Sequence, residues 1–177
     1  FTYPGIVKPA GGGSSIGVKK AENPEELVRA AAFALRFGDR AIIEPCLTER
    51  TEINCAAYRS NGKIIVSECE KPFASGAFLS FTDKYIGGKR EFPADVPQKI
   101  SEKIKKITAE VYDKSGFSGV IRIDYFVAED KVYLNEINAV PGSLAYYLFS
   151  ESLKGFTEML TRLITECERL AAAKTTE

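Results

Sequence analysis

Arg122-Ile123-Asp124, followed by Asn135-Glu136-Ile137-Asn138 and then Ala139-Val140-Pro141-Gly142, is the stretch whose reading decides this chain. The spacing predicts two neighbouring strands, Gly119 to Val127 and Lys131 to Ile137, joined around Ala128-Glu129-Asp130. Side chains alternate faces along a strand, so Arg122 shares a face with Asp124, and Glu136 with Asn138. The intervening residues, Val120, Ile121, Ile123, Phe126, Val132, Leu134 and Ile137, mark both strands as buried. Polar groups in such a setting need partners, because an unpaired buried charge costs several kcal/mol or changes its protonation. Two readings follow. One cation and two carboxylates can close a buried ion network, or Asp124, Glu136 and Asn138 can form an all-oxygen site for a hard cation such as magnesium beside phosphates.

Composition frames this choice. At 177 residues and 45% hydrophobic content, the chain can bury a substantial core as one domain or two small lobes. Its 24 basic and 24 acidic residues cancel, so no bulk field recruits nucleic acid or an anionic membrane. No apolar run reaches the roughly 20 residues of a membrane span, and no signal-peptide pattern opens the chain, so a cytoplasmic location is expected. The abrupt start at Phe1-Thr2-Tyr3-Pro4 suggests a segment of a longer protein. Histidine is absent, which removes Ser-His and Cys-His dyads and His-bound metals from within this chain. The cysteines at 46, 55, 69 and 167 show neither CxxC nor zinc spacing, and buried free thiols in a reducing compartment are expected. Cys167 is placed on the apolar stripe of the last helix.

The organisation reads as α+β without repeats. A strand from Gly5 to Lys8 enters Pro9-Ala10-Gly11-Gly12-Gly13-Ser14-Ser15-Ile16-Gly17, and a second strand follows around Val18. Asn23-Pro24-Glu25-Glu26 is a helix start, with Asn as N-cap, Pro in the first turn and Glu at the capping-box position, and the helix runs to Gly38. Strands are predicted at Ala41 to Glu44, Glu52 to Tyr58 and Lys63 to Glu68, the last two turned at Asn61-Gly62. Periodicity disappears between Lys71 and Pro97. That stretch holds Phe73, Phe78, Phe81 and Tyr85, as a loop that packs over something would. Helices are predicted from Pro97 to Lys114, and from Phe156 to Ala172 with Met159, Leu160, Leu163, Ile164, Cys167 and Leu170 on one side.

The glycine loop has its own chemistry. Glycines let backbone N–H groups converge on an anion, and Ser14 and Ser15 add hydroxyl donors. No Gly-Lys-Ser/Thr follows, so it is not a Walker loop, and taken alone a Gly-rich turn is more often an ordinary flexible hairpin. Lys8, ending a strand just before the loop, supplies the point charge that a phosphate tail needs.

Read in order, Val7-Lys8-Pro9 with Gly13-Ser14-Ser15-Ile16-Gly17-Val18, Ile43-Glu44-Pro45-Cys46-Leu47, Asp83-Lys84-Tyr85, Arg122-Ile123-Asp124 and Asn135-Glu136-Ile137-Asn138-Ala139-Val140-Pro141-Gly142 form one series. The chain resembles the ATP-grasp superfamily and, within it, the D-alanine–D-alanine ligases, from about Tyr3 to Leu148. The resemblance implies an ATP-grasp fold: α+β, mostly antiparallel sheets with packed helices, two lobes around a nucleotide cleft. It divides the chain into a nucleotide-gripping lobe (about 1–70), a lid loop (71–97) and a catalytic, metal-binding lobe (98–177). The family's N-terminal substrate domain is missing here.

Residue roles also come from this resemblance. Lys8 would contact ATP phosphates, and the loop from Gly11 to Gly17, with Gly13, Ser14 and Ser15, would cover them. Glu44, Pro45, Cys46 and Leu47 would read the adenine edge, Glu52 would bind the ribose, and Phe126 would lie against the adenine ring. Lys84 would reach the terminal phosphates, while Tyr85 would meet Ser14 to close the loop. Asp124, Glu136 and Asn138 match the ligands of magnesium (or manganese). Arg122, with the backbone at Gly142, would bind the oxyanion formed during attack.

The implied reaction is attack of a carboxylate on the γ-phosphate of ATP, then displacement of phosphate from the acyl phosphate by an amine. D-alanine would be the substrate, peptidoglycan precursor synthesis the setting, and the parent protein a homodimer. One departure stands out. The family places a serine beyond the Pro-Gly to hold the carboxylate of the second amino acid, whereas here the stretch reads Ser143-Leu144-Ala145-Tyr146-Tyr147. Either Ser143 or a tyrosine hydroxyl, Tyr147 by count, takes over, or the second substrate differs. Tyr85 favours an amine nucleophile over a hydroxy acid. The alternatives are a ligase of the superfamily for another amino acid or carboxylate, and a non-catalytic nucleotide-binding module; the joint presence of Arg122, Asp124, Glu136, Asn138, Lys8 and Lys84 argues against the module.

Overall fold

The computed structural model describes residues 1–13, 15–73 and 90–174. They form two compact units, residues 1–49 with Phe73, and residues 50–72 with 90–174.

The smaller unit is built on a three-stranded antiparallel sheet ordered β2-β1-β3, from Lys19–Ala21, Gly5–Pro9 and Ala41–Pro45. Helix α1, Pro24–Ala34, starts where the Asn-Pro-Glu-Glu signal places it. The Asn23 side chain accepts from the Glu26 N–H at 3.0 Å. The return bond of the expected capping box is displaced by one residue, because the Glu26 carboxylate accepts from the N–H of Glu22, at 2.9 Å, rather than of Asn23. Ala30 and Ala34 of α1 pack on Val7. Alternation therefore turns Lys8 to the face of β1 opposite α1.

The larger unit carries a four-stranded antiparallel sheet ordered β5-β4-β8-β9, from Lys63–Val66, Thr51–Ser60, Val120–Ala128 and Lys131–Asn138. β4 and β5 group with the strands of the polar motif, because β4 is hydrogen-bonded along its length to β8. Asn61 and Gly62 turn the β4–β5 hairpin with φ of 50° and 75°, the doubly positive geometry favoured by Asn-Gly. A short ladder pairs β6, Lys71–Pro72, with β7, Arg90–Glu91.

The two faces of the larger sheet differ. Ile53, Cys55, Ile121, Ile123 and Tyr125 form one face and are buried under Ile100, Ile104 and Tyr112 of α2, Gln98–Lys114. The polar groups on that helix face are satisfied: the Thr108 and Tyr125 hydroxyls are 2.8 Å apart, and Tyr112 donates to the Gly119 carbonyl at 2.7 Å. The opposite face is covered at one end by the turn segment Gly142–Leu148 and by α3, Leu153–Lys174, through Ala145, Leu148 and Met159.

Two expectations for α3 are corrected. Ile164 is 60% exposed, and Cys167 lies in solvent. Glu166 is the buried residue at this level: its carboxylate accepts from the Gly62 N–H at 3.2 Å and pairs with Arg169 at 2.7 Å, which turns its neighbours outward. All four cysteines are free, but only Cys55 and Cys69 are buried, while Cys46 is half-buried. Among the described residues no helix is long and apolar enough to cross a membrane.

Candidate functional site

The polar face of the larger sheet is ordered in transverse rows. Register places Asp124 directly opposite Glu136 on β9 and opposite Asn54 on β4. An antiparallel bridge places Asn54 opposite Glu70, so Glu70, Asn54, Asp124 and Glu136 stand in a single row. The next row contains Ala56, Arg122 and Asn138, and the row on the other side Glu52, Phe126 and Tyr133.

This arrangement depends on a bulge. Ala128 pairs with Lys131 across the two-residue turn Glu129-Asp130, and continuing that register would set Asp124 against Asn135. The pairing shifts between Asp124 and Tyr125, so that Tyr125 faces Leu134 and Asp124 faces Glu136. Asn135 is the extra residue, and its insertion brings Glu136 and Asn138 to the face of Asp124 and Arg122.

Arg122 and Asp124 form a two-bond pair, Nε to Oδ1 at 2.7 Å and Nη2 to Oδ2 at 2.9 Å. Their side chains are only 14% and 15% exposed. Burial works against the guanidinium charge, but the hydrogen bonds and field of Asp124, together with Tyr147, hold Arg122 protonated beyond the ordinary arginine range. Asn138 donates its amide N–H to the Arg122 carbonyl at 3.4 Å, which leaves its Oδ1 as an acceptor. A hard cation fits this donor set. Two opposed carboxylates and one amide oxygen are oxygen ligands of the required kind, and carboxylate oxygens have lone pairs to share between Arg122 and an ion. Among the described residues no three Cys, Asp or Glu converge, so the third donor would be the amide of Asn138.

Downstream, Pro141 leads into a left-handed turn in which Ser143, Leu144 and Ala145 have φ of 51°, 51° and 49°. Non-glycine residues in this region cost about 1–3 kcal/mol each, and such strain concentrates at functional sites. It is held by the burial of Ala145 and Leu148 and by the Leu144 N–H donating to Pro141 O at 2.9 Å. The turn leaves Gly142 and Ser143 exposed and brings the half-buried Tyr147 phenol beside the Arg122 guanidinium. Burial, then the nearby Glu70 carboxylate, raises the phenol's pKa, and Arg122 opposes that rise. Tyr147, the residue that the resemblance counts at the serine's position, thus lies beside Arg122.

Phe126 and Glu52 share a row, and Arg50 joins them. Its guanidinium lies 4.5 Å above the Phe126 ring, and its Nη2 is 3.4 Å from Glu52 Oε1.

In the smaller unit, Lys8 is ion-paired with Glu44, its diagonal neighbour on β3. Cys46 donates its N–H to the Pro4 carbonyl at 2.9 Å, which aligns the segment Glu44, Pro45, Cys46 and Leu47 against the start of β1. In the glycine loop, Gly11 and Gly13 have open space where a Cβ would stand, and Ser15 has φ of 60°. Ser14, Lys84 and Tyr85, and with them most of the expected lid, lie outside the described residues.

Sequence reasoning missed Asn54, Glu70, Arg90 and Arg50. Asn54 follows Glu52 by two on β4, so strand parity carried the signal. Glu70 carried none, since its place depends on one bridge to Asn54.

The family described as D-ala D-ala ligase C-terminus matches residues 1–166. The chain is 37% identical over 169 residues to the D-alanine–D-alanine ligase of Thermosipho africanus, covering 92% of this chain and 46% of that protein. It is 41% identical over 155 residues to the D-alanine–D-alanine ligase of Campylobacter concisus, covering 85% and 44%. The crystal structure of D-alanine–D-alanine ligase from Helicobacter pylori superposes with a TM-score of 0.74 at 32% identity, over 92% of this chain and 45% of that one. The VanG D-Ala:D-Ser ligase from Enterococcus faecalis superposes at 0.77 with 28% identity, over 93% and 50%. The chain spans about half the length of the curated relatives it matches.

Proposed function

Because this chain belongs to the D-Ala–D-Ala ligase C-terminal family, of ATP-grasp fold, we propose that the protein carrying it is an ATP-dependent carboxylate–amine ligase that joins two molecules of D-alanine. The observation that carries this reading is the row in which Asp124 opposes Glu136 beside a guanidinium held by Asp124.

Asp124, Glu136 and Asn138 would hold magnesium, which would supply charge neutralisation at the phosphates. Lys8 and the Gly11–Gly17 loop, with Gly13, Ser14 and Ser15, bind the phosphates, and Lys84 and Tyr85 act with them. Glu44, Pro45, Cys46 and Leu47 read the adenine, and Glu52 and Phe126 take the ribose and the ring. The carboxylate of the first amino acid attacks the γ-phosphorus, and ADP leaves. The amine of the second then attacks the acyl carbon, loses its proton, and phosphate departs as the C–N bond forms. Phosphoryl transfer of this kind needs positioning and charge neutralisation more than covalent help from the protein. Arg122 and the Gly142 backbone stabilise the oxyanion of the second step, where preorganised donors are worth most.

A second reading is favoured by Tyr147, which stands by count where the family serine holds the second substrate. A bulky phenol beside Arg122 changes that subsite, so an acceptor other than D-alanine is the alternative; D-serine is the acceptor named for VanG. The test is phosphate release by the full-length protein with ATP and magnesium, first with D-alanine alone and then with D-alanine paired with other acceptors. Turnover with D-alanine alone supports the first reading, and turnover only with a second acceptor supports the alternative. Failure to bind ATP would leave the polar row a structural ion network.

A further inference from the structure

Glu70 has no role in the reading above, yet it is a carboxylate with 4% relative exposure in the same row as Asp124 and Glu136. Its surroundings form a circuit in which side-chain contacts run from Asn54 round to Asp124, and the sheet register places those two ends opposite one another. The Asn54 amide donates to Glu70 Oε2 at 3.0 Å. Glu70 Oε1 lies 3.6 Å from Arg90 Nη1, and the Arg90 guanidinium lies 4.6 Å from the centre of the Tyr147 ring. Tyr147 meets Arg122, Arg122 pairs with Asp124, and Asp124 is opposite Asn54.

Within this circuit Tyr147 is flanked by two guanidiniums, and they are anchored differently. Arg122 has a side chain only 14% exposed and is gripped by Asp124. Arg90 has a side chain 40% exposed, and Glu70 is the carboxylate that holds it over the ring. A guanidinium is drawn to an aromatic face, but a partly exposed one without a counter-charge is also well solvated and free to leave. Tyr147 itself stands on the left-handed turn of Ser143, Leu144 and Ala145, so its ring position depends on what packs against it.

We propose that Glu70 and Arg90 are a positioning pair: Glu70 holds Arg90 on the Tyr147 ring, and this fixes the phenol against Arg122 and sets how tightly the acceptor amino acid is bound. The proposal rests on the ligase reading, in which Tyr147 faces the second substrate. Neither residue touches the reacting atoms. Their loss acts on acceptor binding and leaves the nucleotide and the chemical step alone.

The test uses the full-length protein with Glu70→Gln, Arg90→Ala, Tyr147→Phe and the Glu70→Gln/Tyr147→Phe double variant. Glu70→Gln and Arg90→Ala should each raise the acceptor KM by about tenfold, with kcat and the KM for ATP within about twofold. In the Tyr147→Phe background, Glu70→Gln should add nothing, because both act through one contact path. Equal rises in both KM values, no rise, or a full Glu70 effect without the Tyr147 hydroxyl would overturn the proposal. A readout independent of turnover is the NMR resonance of 13Cζ-labelled Tyr147, identified by its loss in Tyr147→Phe. It should shift in both Glu70→Gln and Arg90→Ala, and an unmoved resonance would also overturn the proposal. If the wild type shows no ligase turnover while the resonance shifts, the positioning contact stands and the ligase reading fails.

Discussion

Asp124 and Glu136 face one another across β8 and β9 because Asn135 is inserted as an extra residue between them and the hairpin turn. A two-residue turn and an unbroken ladder would send Glu136 to the face packed under α2, which is lined by Ile53, Ile121, Ile123 and Ile104. The bulge therefore turns two unremarkable strands into a surface with converging oxygen donors.

Deleting Asn135 should accordingly abolish metal-dependent nucleotide binding, with a loss exceeding the roughly 10- to 100-fold typical of removing a residue behind a metal ligand. Asn135→Gly keeps the extra residue and should retain most of the affinity. Calorimetric titration of the full-length protein with an ATP analogue and magnesium measures both, and equal affinity in the deletion variant would refute the metal site.

Arg122→Ala and Glu136→Gln should separate chemistry from binding. Arg122→Ala should leave nucleotide affinity largely intact while kcat falls roughly 100- to 1,000-fold, the cost of losing one oxyanion donor. Glu136→Gln should weaken magnesium-dependent ATP binding itself, because a hard cation loses a charged ligand. Steady-state kinetics alongside direct binding measurements distinguish the two. A pair of variants with identical profiles would contradict the division of roles.

The pH dependence of stability should carry the signature of Glu70. Burial raises its carboxyl pKa above the ordinary 4.5, against the opposing effects of Asn54, Arg90 and Arg122. Just above that value the folded protein holds a proton that the unfolded chain has released, so stability falls as pH rises through the window and levels off above the folded pKa. Wild type should therefore gain on Glu70→Gln as pH is lowered from about 7 to about 4. Denaturant unfolding at both pH values tests this, and a stability difference that does not change with pH would count against it.

Gly17→Ala should destabilise the smaller unit. Gly17 has φ of +78°, and a Cβ there would stand 2.8 Å from Phe37 Cδ2 and 2.8 Å from Pro9 Cγ. The combined strain and overlap should cost about 1–3 kcal/mol, read as a lowered unfolding midpoint. Gly13→Ala, where nothing lies within 4 Å, is the control and should change stability far less.

Much of this protein is legible along the chain alone. The Asn23-Pro24-Glu25-Glu26 helix start, the Asn61-Gly62 turn and the strands from Val120 and from Lys131 are local matters. Capping, doubly positive φ and alternation are decided by residues within a few positions of one another. The parity of Arg122 with Asp124 and of Glu136 with Asn138 is equally local, so the candidate ligands were visible as two pairs. What joins the pairs is tertiary. The bulge at Asn135, the placement of β4 beside β8, the bridge from Asn54 to Glu70 and the meeting of Tyr147 with Arg122 are choices of register and packing between distant segments. Sequence spacing is silent on them, because a one-residue slip reverses every face while leaving composition and periodicity unchanged. The same holds for α3, where the hydrophobic stripe predicted a buried Cys167. The Glu166 carboxylate, bound to the Gly62 N–H and to Arg169, was buried instead, since a satisfied polar group can take a core position that periodicity reserves for an apolar one.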